Sequence, residues 1–124
     1  MFKARLRKAD ILFSEYIRRR ANWKCEACGK DYLNNHQGLH CSHYWSRRRE
    51  ATRFDPENCI ALCFYHHQLW GHGEDREEYK DYMIKRLGQE GFDLLDYRAH
   101  QYQKRDDAME ILWIEARLKE MKGE

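Results

Sequence analysis

The sequence predicts an α+β fold that is mostly helical, with one small two-stranded antiparallel sheet. The 124 residues include no valine, six isoleucines and one threonine, so β-branched side chains are too few for a large sheet. Apolar residues instead recur at helical spacing near the start of the chain and after Glu74. Aromatic residues reach 14% and the net charge is +2, which excludes the high charge and low hydrophobicity typical of disordered chains. The length suits a single domain.

Within that single domain, residues 1–124, we expect an N-terminal helical segment (1–22), a metal-stabilised core (23–72) and C-terminal helices (73–124). A helix over roughly residues 8 to 21 places Leu12, Phe13, Tyr16 and Ile17 on one face. Three arginines, Arg18–Arg20, form its last turn, where positive charge complements the helix dipole. Two interpretations are open: these arginines extend a row of side chains that bind phosphates, or they form a solvated face.

The core segment contains two pairs of metal-ligand residues with the same two-residue gap. Cys25 and Cys28 form the first pair, and Cys63 and His66 form the second. A tight turn with this gap presents two side chains to one ion, and two such turns complete the tetrahedron that zinc prefers. Because all four positions are then filled, we expect this Zn²⁺ to stabilise the fold and to take no part in catalysis.

An alternative interpretation makes Cys63 a core cysteine and His66 a surface residue of a helix. Cys59 precedes Cys63 by four residues and competes for a place in the ligand set. We prefer His66 because its spacing matches that of the first pair. Cys41 and Cys59 are then expected to be buried thiols.

We predict a hairpin between the two ligand pairs and a helix that begins at the second pair. Leu39–Tyr44 and Asn58–Leu62 are the candidate strands, and a basic, turn-rich loop joins them. A short helix follows from Cys63 to about Trp70 and ends at glycines. This arrangement directs His43, near the end of the first strand, and His67, in the helix, towards one cleft. Either histidine alone is more typical of a packed or surface residue, but one could accept a proton and the other bind a divalent cation.

The order of these residues resembles the HNH endonucleases of the ββα-metal fold. It is similar in particular to the zinc-containing phage and prophage subgroup that includes NinG-like recombination proteins. The resemblance extends from about Trp23 to His72. It is carried by a Cys-x-x-Cys pair and five further residues: His43, Asn58, Cys63, His66 and His67.

The resemblance implies a role for each matched residue. His43 would be the general base, Asn58 would order the loop and orient the His43 segment, and His67 would bind a catalytic Mg²⁺ or Mn²⁺. Cleavage of DNA would leave 5′-phosphate and 3′-hydroxyl ends. The sequence departs from the family at Ser42, where an aspartate or histidine ligand is common, so Ser42 or His40 is a possible weak second ligand.

The loop after His43 carries the candidate contacts to DNA, which are Arg47, Arg48, Arg49 and Arg53. Arginine contacts to phosphates give affinity and salt dependence without sequence choice. A solvated basic face is the alternative. Two roles are open for Tyr44 and Trp45: their rings stack on a base of the DNA, or they pack within the hairpin.

The C-terminal segment is predicted to be helical, with breaks at Gly88 and Gly91. Its last helix has an apolar stripe that includes Ile111 and Leu118, which favours packing or a homodimer over chemistry. No run is long enough to span a bilayer, and the first eight residues lack a signal-peptide apolar block, so we expect a cytoplasmic protein without membrane contact.

Three functions remain open from the sequence alone. The first is a metal-dependent DNA endonuclease. The second is a non-catalytic zinc module that binds nucleic acid, and the third is a protein-interaction adaptor built on the C-terminal helices. The combination of His43, Asn58 and His67 favours the first function, because a binding module has no need for all three.

Overall fold

A computed structural model of the chain describes residues 6–104 and 106–123. The first five residues of the predicted N-terminal segment, Arg105 and Glu124 lie outside the described residues. The described part contains five α-helices and a two-stranded antiparallel hairpin, which confirms the predicted α+β class. Among the described helices, none is both long and apolar enough to cross a membrane.

The hairpin lies at the centre of the fold. Strand β1 spans Leu39–His43 and strand β2 spans Cys59–Cys63, with Cys41 opposite Ala61. Both ranges agree with the predicted strands to within one residue. Every residue of β2 is buried, because helices cover both faces of the hairpin.

Two apolar clusters flank the hairpin. One cluster includes Ile60 and Leu62 and packs against α3 (Phe64–Gly71) and α4 (Arg76–Ala99). The other includes Cys59 and packs against α1 (Lys8–Arg20) and α5 (Asp107–Met121). Cys59 is buried as predicted. Cys41 is only half-buried, because its side chain borders a cavity beside α1.

Helices α1 and α5 pack against each other through aromatic rings. The indole of Trp113 meets the rings of Phe13 and Tyr16 edge-on, with centroids 6.2 and 5.7 Å apart. Leu118 is buried in the same cluster and Ile111 packs against it, so intramolecular packing accounts for this part of the predicted apolar stripe. The homodimer stays a prediction.

Two shorter features complete the fold. Helix α2 (Glu50–Arg53) lies in the loop between the strands, which was predicted only as turns. Gly88 interrupts α4 with a φ of +77°, a left-handed conformation that favours glycine. The predicted break at Gly88 is therefore confirmed. The predicted break at Gly91 is wrong, because a helix interior tolerates glycine at a cost of about 1 kcal/mol.

Candidate metal and catalytic site

The four predicted zinc ligands come together in a group that we call the zinc knuckle: Cys25, Cys28, Cys63 and His66. One ligand atom from each lies within 4.8 Å of the others, and Cys59 is outside the group. The Sγ atoms of Cys28 and Cys63 are 4.0 Å apart, and Cys63 Sγ is 3.3 Å from His66 Nδ1. Zinc–sulfur bonds of about 2.3 Å in a tetrahedron would separate two sulfurs by about 3.8 Å. These residues can therefore hold a metal ion, and their donors suit zinc.

Backbone geometry explains why this sequence forms the knuckle. Gly29 adopts a φ of +77°, and its N–H donates to Cys25 O at 2.7 Å, which closes the first turn. Glu26 ties that turn to β2, because its N–H donates to Ala61 O and its carboxylate accepts the Ala61 N–H at 2.7 Å. Cys63 ends β2, and its Sγ accepts the N–H of His66 at the start of α3.

The thiols of the first turn differ in acidity. Burial raises the pKa of Cys25 to about 11, whereas a backbone hydrogen bond at Lys30 lowers the pKa of the exposed Cys28. A metal ion binds both sulfurs as thiolates, so binding must displace the proton of Cys25, whose pKa is the higher of the two. Affinity for the metal should therefore fall steeply as the pH is lowered.

His43 lies at the end of β1 with one ring nitrogen fixed by the backbone. Its Nε2 is 2.9 Å from Arg53 O, and a carbonyl oxygen only accepts, so Nε2 carries the proton. Nδ1 is then left with a lone pair. Burial lowers the pKa of His43 to about 4, so the ring is neutral at pH 7. A neutral imidazole of this tautomer can accept a proton at Nδ1.

Asn58 holds the loop that supplies this carbonyl. Its side chain is fully buried, and its Nδ2 donates to Trp45 O at 2.9 Å and to Thr52 O at 3.1 Å. Its Oδ1 accepts the N–H of Trp45 at 2.9 Å. The carboxamide thus bridges both ends of the inter-strand loop, and Thr52 is the residue before Arg53. This geometry suits the orienting role that the family resemblance implies for Asn58.

Arg53 does not face solvent, which corrects its prediction as a phosphate contact. Its side chain is 4% exposed and forms two hydrogen bonds with the Asp10 carboxylate, at 2.9 and 2.6 Å. Burial raises the pKa of Asp10, but hydrogen bonds from Arg53 and from the Arg7 N–H outweigh it and hold the pKa below its usual value. The pair ties the loop after His43 to α1. Sequence alone could not distinguish this arginine from its three exposed or half-exposed neighbours.

His43 and His67 line one cavity of about 520 Å³, the histidine cavity, which His40 and His72 also border. The rings of His40 and His67 lie parallel with centroids 5.2 Å apart. Burial lowers the pKa of His67 to about 4. Its Nδ1 is buried without a hydrogen-bond partner among the described residues.

The hydroxyl of Ser42, a possible weak ligand in the sequence prediction, already has a hydrogen-bond partner in the fold. The side chain is fully buried on the face of β1 that it shares with His40, and its hydroxyl lies 2.9 Å from the hydroxyl of Tyr79 in α4. It does not border the histidine cavity. His40 does border it, so the alternative ligand named from the sequence is the better placed of the two. Around His67 the described residues form no preassembled group of three ligand atoms.

The three remaining loop arginines border the same region. Arg47 lines the histidine cavity, and Arg48 and Arg49 line a neighbouring cavity of about 750 Å³ that also reaches His43. Arg49 donates to Ala99 O at 3.3 Å, with its guanidinium 5.2 Å from the Trp45 ring. We call the two adjoining cavities the basic cleft. The only carboxylate bordering the cleft in the described chain is Asp10, which is already paired.

Sequence reasoning missed Arg76, which lies in a segment that is otherwise acidic. Its guanidinium lies 4.1 Å from the centre of the Tyr44 ring and lines the second cavity. Tyr44 itself is buried in the larger apolar cluster, which favours packing over stacking on a base. In the first helix, Arg18 lines the histidine cavity, whereas Arg20 points inward and donates to Pro56 O and Cys59 O. Arg18 and Arg20 differ only in the contacts that they make with residues distant in the sequence.

Comparisons with protein-family models, with curated proteins and with solved structures give no match to this chain. The metal-ligand group, the histidine cavity and the basic cleft are therefore the observations on which a function can be argued.

Proposed function

We propose that this chain is a metal-dependent DNA endonuclease of the HNH type, in which the zinc knuckle is structural. One observation carries the proposal: His43 and His67 line the same cavity, beside a cleft bordered by arginines. Its place would be the processing or recombination of phage or prophage DNA, as the family resemblance implies. Phosphodiester hydrolysis needs an activated water and charge neutralisation at the phosphate, and each has a candidate residue here.

His43 would activate the water. The Arg53 carbonyl fixes the ring in the tautomer that leaves Nδ1 free, and the depressed pKa keeps Nδ1 unprotonated at neutral pH. Nδ1 then accepts a proton as water attacks phosphorus. Such general-base assistance is worth about 100-fold to 10,000-fold in rate.

His67 and His40 are the residues that would hold the divalent cation of the reaction. When bound, the ion neutralises charge on the scissile phosphate and on the departing 3′ oxygen. Two imidazoles fit such an ion only as part of its ligand set, so phosphate oxygens and waters must complete it. Because imidazole donors favour later transition metals, the residues present fit Mn²⁺ better than Mg²⁺.

The basic cleft would hold the DNA backbone. Arg47, Arg48, Arg49 and Arg76 border it, and only one carboxylate among the described residues lies there. Guanidinium groups bind phosphates bidentately and release counterions from DNA. Because contacts to phosphates carry no information about the bases, we expect affinity that depends on salt and little on sequence.

The proposal is tested by incubating purified, zinc-quantified protein with supercoiled, linear and junction DNA in the presence of Mg²⁺, Mn²⁺, Co²⁺ or Ni²⁺. We expect cleavage that requires an added ion, is faster with Mn²⁺ than with Mg²⁺, and leaves 5′-phosphate ends. The His67→Ala variant should need a higher Mn²⁺ concentration for half-maximal rate. Absence of cleavage on every substrate with every ion would refute the enzymatic proposal.

A second candidate, a non-catalytic zinc module that binds nucleic acid, is favoured by one specific observation. The described residues around His67 form no set of three metal-ligand atoms close together. Such a module would bind DNA with the same steep salt dependence but would not cut it. The cleavage assay, run beside a binding assay at several salt concentrations, separates the two functions.

A further inference from the structure

A second group of metal-ligand atoms lies outside the zinc knuckle, on the opposite side of the hairpin from α3. Cys41, His43 and Cys59 each contribute one ligand atom, and these atoms lie within 4.8 Å of one another. Register explains the group: His43 pairs directly with Cys59, and Cys41 precedes His43 by two residues on the same face of β1. Strand geometry therefore assembles the group before any ligand arrives.

We propose that Cys41, His43 and Cys59 form a second binding site, for a thiophilic divalent cation such as Zn²⁺ or Cd²⁺, and that this ion removes His43 from water activation. The second half of this statement rests on the proposed function. Thiolate donors select soft ions and disfavour Mg²⁺, so this site and the ion site at His67 would take different metals.

The charges at the site suit such an ion. Binding forms two metal–sulfur bonds and one metal–nitrogen bond, and two thiol protons leave for solvent. Two thiolates then neutralise the ion, so a half-buried site carries no net charge. Burial raises the pKa of the Cys59 thiol well above its usual value, so its proton would leave only when an ion binds; the positive charge of Arg20, whose guanidinium donates to Cys59 O, offsets part of that burial. Cys41 and His43 border the histidine cavity, so a water molecule can fill the fourth position.

Either ring nitrogen of His43 leads to the same result. If the ion binds Nδ1, it occupies the lone pair that would accept the proton from water. If it binds Nε2, it displaces the Arg53 carbonyl that now lies 2.9 Å away and that fixes the ring. In both cases the base is lost while the zinc knuckle is untouched.

The binding half is tested by titrating zinc-loaded protein with Co²⁺ under a non-thiol reductant, because Co²⁺ bound to thiolates gives a charge-transfer absorption band. We expect one equivalent of Co²⁺ to give this band in the wild type and in Ser14→Ala, a control that alters the cavity lining without touching the group. Cys41→Ala should lose the band, and His43→Ala should weaken Co²⁺ binding at least tenfold. A wild type without the band, or a band that persists in folded Cys41→Ala, would overturn the site.

The proposed inhibition by the second ion is tested by plasmid cleavage in Mn²⁺, in which the rate of each protein is compared with its own rate without added Zn²⁺. Added Zn²⁺ beyond the first equivalent should inhibit the wild type, and Cys41→Ala should need at least ten times more. The two assays distinguish a failure of the nuclease proposal from a failure of the metal-site proposal. A cobalt band without any cleavage refutes the nuclease and keeps the metal site, whereas cleavage without a cobalt band refutes only the metal site. Equal inhibition of both proteins refutes the inhibitory role.

Discussion

Replacing Asn58 by alanine tests whether one buried carboxamide holds the inter-strand loop. The side chain forms three hydrogen bonds, two with the backbone of Trp45 and one with Thr52 O, at 2.9 to 3.1 Å. A hydrogen bond contributes about 1 kcal/mol net, so their loss alone should cost about 3 kcal/mol of unfolding free energy. Because a small domain is stable by only about 5–15 kcal/mol, this is a large fraction.

The assay is urea unfolding of zinc-loaded protein, followed by tryptophan fluorescence. Asn34→Ala is the matched control, since Asn34 is exposed in a turn, and it should lie within about 0.5 kcal/mol of the wild type. Asn58→Asp adds a second comparison, because its carboxylate would face the carbonyls of Trp45 and Thr52 and should destabilise at least as much at pH 7. An Asn58→Ala variant within 1 kcal/mol of the wild type would refute the reasoning.

The remaining predictions concern charge, metal and DNA. Asp10→Asn should cost about 3–5 kcal/mol at pH 7, because it leaves the buried Arg53 without its counter-charge. The folded-state pKa of Asp10 is lowered, so this stabilisation is present above its usual value of 3.8 and is lost as the pH falls below it; urea midpoints of the two proteins should converge there. Chelation of zinc, or Cys25→Ser, should abolish cooperative thermal unfolding measured by circular dichroism, and a stable metal-free protein would contradict a structural zinc. Arg48→Ala should reduce DNA affinity and lower the slope of log affinity against log salt by about 1, whereas an unchanged slope would place Arg48 outside the interface.

The local pattern of the sequence was sufficient to predict the hairpin and the metal-ligand group. Equal spacing in Cys25/Cys28 and Cys63/His66 indicates the zinc knuckle, since the gap itself determines that two side chains can meet one ion. The strand bounds follow from similarly local signals. These features depend on neighbours within a few residues, and the structure brings the four ligands together as expected.

Contacts across the fold decide the features that sequence reasoning missed. Arg53 looks like its three neighbours in the sequence, and only its placement opposite Asp10 of α1 buries it. The Ser42 hydroxyl lies within hydrogen-bond distance of Tyr79, a residue 37 positions later, so no local pattern could predict this contact. Arg76 joins the cleft because α4 returns to the hairpin, although its sequence neighbours are acidic.

Plasmid nicking by His43→Ala tests the central claim most directly. The wild type and the variant should be compared in Mn²⁺ at equal zinc content, with circular dichroism as the check on folding. We predict that the variant keeps the zinc of the zinc knuckle and loses nicking by about 100-fold or more, because no imidazole remains at position 43 to accept the proton. A folded, zinc-loaded His43→Ala protein that cuts DNA at the wild-type rate would contradict the account.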